Sequence, residues 1–168
     1  KDLPKFIKKK IILDLKKITK KKFFSQLKFN NFPLLMGILN ITPDSFSDGG
    51  KFMKNNIANY HAKKLISDGA QIIDVGGEST RPGAKDLDSK IEWKRIRKKL
   101  NYLNKKNIFL SLDTRKSLIM KKGIKLGVDL INDISGLNHD SDTINIIKKY
   151  KTPFVIHHMQ GNPKNMQV

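Results

Sequence analysis

From residue 34 onward the chain alternates between two hydrophobic periods. Short apolar runs at residues 34–39, 71–75, 108–112, 128–131 and 153–156 read as buried strands. Helical patterns lie between them. Ile57, Ala58, His61, Ala62, Leu65 and Ile66 make one apolar face, with His61 expected in the core or at its boundary. Trp93, Ile96, Leu100 and Leu103 make a second, opened by Ser89 with Glu92 three residues on, the spacing of a capping box. Leu118, Ile119 and Ile124 predict a third helix ending near Gly127, and Ile144, Ile147 and Tyr150 a fourth with Asp140 as its N-cap. Strand, helix and strand repeated in this way describe a parallel sheet of βαβ units. Ahead of it, residues 1–22 form a Lys-rich extension with Ile7, Ile11, Leu15 and Ile18 at near-helical spacing. This stretch reads either as a basic amphipathic helix or as a solvated tail, and residues 23–168 as the domain proper.

Each predicted strand is followed by polar residues: Asn40, then 78–81, then 113–115, then Asn132 and Asp133, then 157–159. Polar groups at the carboxyl ends of successive parallel strands converge on one mouth, where α/β folds bind ligands. A barrel is favoured over a doubly wound sheet because neither GxGxxG nor GxxxxGK[ST] follows any strand. Five units of about 27 residues fill residues 34–168, whereas a (β/α)8 barrel needs eight units and about 250 residues. The expected fold is therefore an α/β (β/α)8 barrel truncated after about five units, in an incomplete sequence, a degraded gene product or a split barrel.

Composition narrows this further. With 38% apolar and 29% charged residues, the 168-residue chain can bury a core and is not disordered throughout. The absence of Cys excludes disulfides, thiolate zinc sites and thiol nucleophiles. No apolar run is long enough to span a membrane and no secretory leader is apparent, so the expected compartment is the cytoplasm. The net charge of +19 comes from 30 Lys and only four Arg spread along the chain. A compositional bias toward Lys explains it as readily as a polyanion-binding role, and no specific nucleic-acid partner is implied.

Taken one residue at a time, the chemistry is open. Asn40 could merely close a strand, Asp113 could be a helix N-cap, and PDSFSDGG could be an ordinary polar loop. The blocks MGILNITPDSFSDGG (36–50), GAQIIDVGGESTRPGA (69–84), SLDTRK (111–116), LINDISGL (130–137) and HMQGNPKNMQ (158–167), in that order, resemble the dihydropteroate synthase family. The resemblance implies a pterin-binding (β/α)8 barrel. It also implies condensation of 6-hydroxymethyl-7,8-dihydropterin diphosphate with p-aminobenzoate, with release of pyrophosphate, in the folate-pathway step that sulfonamides target.

By the same resemblance Asn40 is the protein ligand of Mg²⁺, the expected cofactor. Asp113 and Asn132 are pterin contacts, Thr80 a diphosphate contact, and Met159, beside His158, packs on the ring. Asp44, Phe46, Thr80, Arg81 and Pro82 belong to two loops that shape the aminobenzoate pocket, with Gly49 and Gly50 giving the first its mobility. Asp44, Arg81 and Asp113 are the expected catalytic residues, and Asp133 a supporting one. Further family contacts come from the sixth to eighth strands, which these residues do not reach, so the 168-residue chain alone is expected to be inactive and poorly stable. The family forms homodimers. Two other readings stay open: a pterin-binding methyltransferase domain on the same barrel, and an inactive polyanion-binding remnant.

Overall fold

Five parallel strands are hydrogen-bonded in the order in which they occur in the chain: β1 (Met36–Asn40), β2 (Ile72–Gly76), β3 (Phe109–Asp113), β4 (Leu130–Asp133) and β5 (Phe154–Ile156). A computed structural model describes residues 3–19, 33–42, 51–79 and 86–157. The connections are helical: α2 (Lys51–Ser67), α3 (Ser89–Asn104), α4 (Ser117–Leu126) and α5 (Thr143–Tyr150). A fifth helix, α1 (Lys5–Thr19), realises the helical reading of the Lys-rich extension, with Phe6, Ile11, Ile12 and Leu13 exposed along it.

Period-two alternation sorts the strand residues onto two faces. Leu39, Ile73, Val75, Leu110, Leu112 and Ile131 point one way and pack with Ala62, Ile96, Leu100, Leu103, Ile119, Met120 and Val128 of the helical layer in one cluster. Ile72, Phe109 and Leu130 point the other way and form a separate small cluster with Leu34. A doubly wound sheet reverses its strand order and puts helices on both faces. Here order is never reversed and one face holds the helix-packed core, the arrangement of successive units of a (β/α)8 barrel.

The strands lie one or two residues further along the chain than the apolar runs suggest. The backbone ladder does not read side chains, so pairing continues past the last apolar residue onto Asn40, Gly76, Asp113 and Asp133. Of these, Asn40, Gly76 and Asp113 are at the mouth.

Helix ends differ from the sequence expectation in two places. Asp88, not Ser89, caps α3, its carboxylate accepting from the N–H groups of Lys90 (2.8 Å) and Ile91 (3.4 Å). Glu92 is thereby released from any capping box and is fully buried. Asp142 rather than Asp140 occupies the N-cap position of α5. Asp140 instead accepts from the N–H of Ser117, the first residue of α4, at 2.8 Å, and so satisfies a helix start 23 residues earlier. Gly127 ends α4 as expected, in the left-handed region at φ 104°. His61 is exposed, contrary to the apolar-face reading, because α2 turns only the stripe of Ala58 and Ala62 fully into the core.

Candidate active site

One register line crosses the sheet at its carboxyl end. Asn40 of β1 pairs with Gly76 of β2, Gly76 with Asp113 of β3, and Asp113 with Asn132 of β4. Residues in register share a face, so the three side chains project to the side away from the helical layer. Glycine at the second position is what lets the neighbours close in. A Cβ on Gly76 would lie 3.0 Å from Asn40 Oδ1 and 3.1 Å from Asp113 Oδ2, so these two oxygens are at most about 6 Å apart. Asn40 and Asp113 thus share one mouth, as expected, and Asn132 joins them.

Asp113 carries a poor environment for a negative charge. Burial, followed by the repulsion of Asp74, Glu92, Asp133 and Glu78, pushes its carboxyl up to about 7. It does not cap a helix: the N-cap position of α4 belongs to Lys116. One pleat below, on the same face, Asp74 is 4% exposed. Its Oδ2 accepts from Asn132 Nδ2 at 2.9 Å, while Oδ1 and the neighbouring Ser111 Oγ have no hydrogen-bond partner among the described residues. Burial raises the Asp74 carboxyl too, against the opposing influence of Ser111, Asn132 and His157. His157, just past β5, places Nε2 3.2 Å from Asn132 Oδ1.

Beside this cluster is a second one in which every charge is matched. Glu78 accepts from Arg115 Nε and Nη2, both at 3.0 Å, and from the Leu87 N–H at 2.9 Å, and pairs with Lys116 Nζ at 2.9 Å. Burial would raise its carboxyl, but the Arg115, Lys116 and Leu87 hydrogen bonds pull it down to about 2. Lys116 also reaches Glu92 Oε2 at 2.8 Å, and Glu92 Oε1 accepts from Thr114 Oγ1 at 2.6 Å. Arg115 continues to Asp86 at 3.0 Å. The two sides of the 80–85 segment are therefore tied together through Glu78, Arg115, Asp86 and Leu87. Asp133 faces the helical side and is fully buried, holding the turn after β4 through the N–H groups of Ser135 (2.8 Å) and Leu137 (3.1 Å).

Asp44, Phe46, Thr80, Arg81, Pro82 and Met159, with Gly49, Gly50 and His158, lie outside the described residues. Sequence reasoning did not single out Asp74, although an acidic residue inside the apolar run IIDVG is itself a signal, since a buried charge is costly without a purpose. Among the described residues no group of three His, Cys, Asp or Glu side chains could hold a metal ion. The hard amide oxygen of Asn40 at the mouth fits a cation that keeps most of its waters, as Mg²⁺ does.

Residues 36–168 match the family model described as pterin binding enzyme. A dihydropteroate synthase of Neisseria meningitidis serogroup C is 44% identical over 138 residues, which cover 81% of this chain and 49% of that protein. A dihydropteroate synthase from Clostridium difficile, solved in the presence of pteroic acid, superposes with a TM-score of 0.76 at 43% identity, covering 80% of this chain and 52% of its own. The enzyme from Xanthomonas albilineans, solved with 4-aminobenzoic acid, gives a TM-score of 0.73 at 35% identity over 79% of this chain and 49% of its own. The chain spans about half the length of the relatives it matches.

Proposed function

Since the chain belongs to the pterin-binding enzyme family, we propose that it supplies the pterin-binding half of a dihydropteroate synthase active site. The observation that carries this reading is the line Asn40–Gly76–Asp113–Asn132, an acceptor-rich row beneath an open mouth. It is supported by 44% identity to a dihydropteroate synthase over 138 residues.

In this reading the aminopyrimidinone edge of a dihydropterin lies on Asp113 and Asn132. A carboxylate can accept two N–H bonds from such an edge, and Asn132 Oδ1, beside His157 Nε2 at 3.2 Å, has a second lone pair for the ligand, its amide nitrogen being turned to Asp74. The bond between the exocyclic methylene carbon and the diphosphate oxygen breaks first, and pyrophosphate leaves with the electron pair. The amine nitrogen of p-aminobenzoate then bonds to that carbon and gives up one proton. Positive charge builds on the pterin before capture, so the ionised Asp113 is worth more in the transition state than in the ground state. Thr80 and Arg81 hold the diphosphate or the aminobenzoate carboxylate, Asp44, Phe46 and Pro82 line the aminobenzoate pocket, and Met159 packs on the ring. Asn40 is the residue that would hold Mg²⁺, which when bound offsets the charge of the diphosphate. Residues 1–22 are read as an extension that this function does not use.

The test is calorimetry with 6-hydroxymethylpterin diphosphate, paired with a dihydropteroate-formation assay, on the full-length protein. Asp113→Ala is expected to weaken pterin binding by at least about tenfold, the cost of a lost charge-assisted hydrogen bond. Arg81→Ala and Asp44→Ala are expected to lower turnover more than pterin affinity. Unchanged pterin affinity in Asp113→Ala would remove the basis of the assignment.

A further inference from the structure

We propose that Asp74 is a positioning residue of the pterin site, fixing the Asn132 side chain so that its carbonyl oxygen rather than its amide nitrogen is presented to the ligand. The inference rests on the reading of the site given above and adds a residue to it.

Asp74 stands in the middle of β2, in a row that reads Ile38, Asp74, Ser111, Leu130 across four strands. The ends of that row are aliphatic. An aliphatic residue in place of Asp74 would fill the same space without desolvating a carboxyl, so packing gives no reason for an acid here. Hydrogen bonding uses it only in part: among the described residues Asp74 Oδ1 and the adjacent Ser111 Oγ are buried without a partner. The contact that Asp74 does make is the 2.9 Å one from Asn132 Nδ2 to its Oδ2.

That contact has a chemical consequence. A primary amide can turn about its last torsion and exchange oxygen for nitrogen at nearly constant shape, presenting either an acceptor or two donors. A carboxylate has only lone pairs to offer, so it selects the orientation in which Asn132 Nδ2 faces inward. Asn132 Oδ1 is then left on the opposite side, 3.2 Å from His157 Nε2. Beside Asp113 this makes a second acceptor, and the pair favours a heterocycle edge rich in N–H groups over one that offers carbonyl oxygens. The role is positional: Asp74 acts through Asn132 and needs no contact of its own with the substrate.

The experiment uses Asp74→Leu and the near-isosteric Asp74→Asn in the full-length protein, read by calorimetry with 6-hydroxymethylpterin, by KM for p-aminobenzoate and by Tm. Asp74→Leu is expected to weaken pterin binding by about tenfold or more while Tm holds or rises and the KM for p-aminobenzoate stays within twofold. Asp74→Asn, whose amide permits either orientation of Asn132, is expected to fall between the two and serves if the leucine variant does not fold. In an Asn132→Ala background, Asp74→Leu is expected to have no further effect on pterin affinity. The proposal is overturned if either Asp74 variant binds pterin as tightly as the parent. It is also overturned if the effect of Asp74→Leu persists undiminished in the Asn132→Ala background. Failure of the unsubstituted protein to bind pterin sinks the functional reading, and this proposal with it. Loss confined to the Asp74 variants while Asp113→Ala behaves as expected supports both.

Discussion

Two clusters of charged groups sit side by side at the carboxyl ends of β2 and β3, and they are built on opposite principles. In the cluster around Glu78 and Glu92, two buried acids meet Arg115 and Lys116, and their other partners are donors, the Thr114 hydroxyl and the Leu87 N–H. Around Asp113 burial, and then the negative charges of Asp74, Glu92, Asp133 and Glu78, raise the carboxyl, and no cation adjoins it among the described residues. The first arrangement is complete without a ligand. The second costs stability until something with N–H groups or positive charge arrives, which is the common condition of a site shaped for binding. Proximity to the mouth thus does not identify a binding residue; an unbalanced charge does.

The sharpest way to break this contrast is to unbalance the first cluster. Lys116→Met removes the cation shared by Glu78 and Glu92 and leaves a buried acid short of its partner, which should cost about 3–5 kcal/mol. Urea denaturation at pH 7 measures it, and a loss under about 1 kcal/mol would show that the network contributes little.

Next in size is Asp113→Asn, where the expected sign is the reverse. The folded-state carboxyl sits near 7 against 3.8 in the unfolded chain, so the folded state holds the extra proton between those values. Its penalty is absent below pH 4 and fully developed above pH 7. The stability of Asp113→Asn relative to the parent should therefore grow by roughly 3 kcal/mol from pH 4 to pH 8, at about 1.4 kcal/mol per pKa unit less an allowance for partial exposure. Glu78 works in another window. Depressed to about 2, it adds stability above its ordinary value of 4.5 that is lost as pH falls toward 2. A flat difference between parent and Asp113→Asn across pH 4–8 would erase the distinction between the clusters.

The smallest effect sharpens the functional side. Ring N–H groups prefer the ionised Asp113, so pterin affinity should rise by up to about tenfold per pH unit below 7 and level off above it. Calorimetry in buffers of different ionisation enthalpy should register proton release near pH 7. Affinity independent of pH between 5 and 8 would show that the ligand does not engage this carboxyl.

Much of this was legible in the sequence because it is local. Apolar runs ending on Asn40, Asp113 and Asn132 mark strands and mouth together, and their order along the chain is the order of the sheet. What sequence spacing misses is long-range. Glu92 stands at the capping-box distance from Ser89, yet its carboxylate goes to Thr114 and Lys116, 22 and 24 residues away. Asp140 stands where a cap for α5 belongs, yet divides its carboxylate between the N–H of Asp142 there and that of Ser117 at the start of α4. In both cases a helix-start pattern is diverted because distant partners compete for the same carboxylate. The closeness of Asn40 and Asp113 across Gly76 depends on register, which no single strand reveals.

The unbroken strand order also bears on how the protein comes into being on the ribosome. Met36 pairs with Ile72, Ile72 with Phe109, Ser111 with Leu130 and Ile131 with Phe154, so each strand finds its partner fewer than forty residues earlier. At about 5–20 residues per second, synthesis allows roughly 1–7 s for each such interval, far longer than a helix or a strand pair needs to form. The mouth can therefore be laid down from one side to the other, Asn40 first and Asn132 last. Asp113 emerges with Arg115 and Lys116 directly behind it, so the cations that quiet Glu78 arrive almost together with the acid that has none.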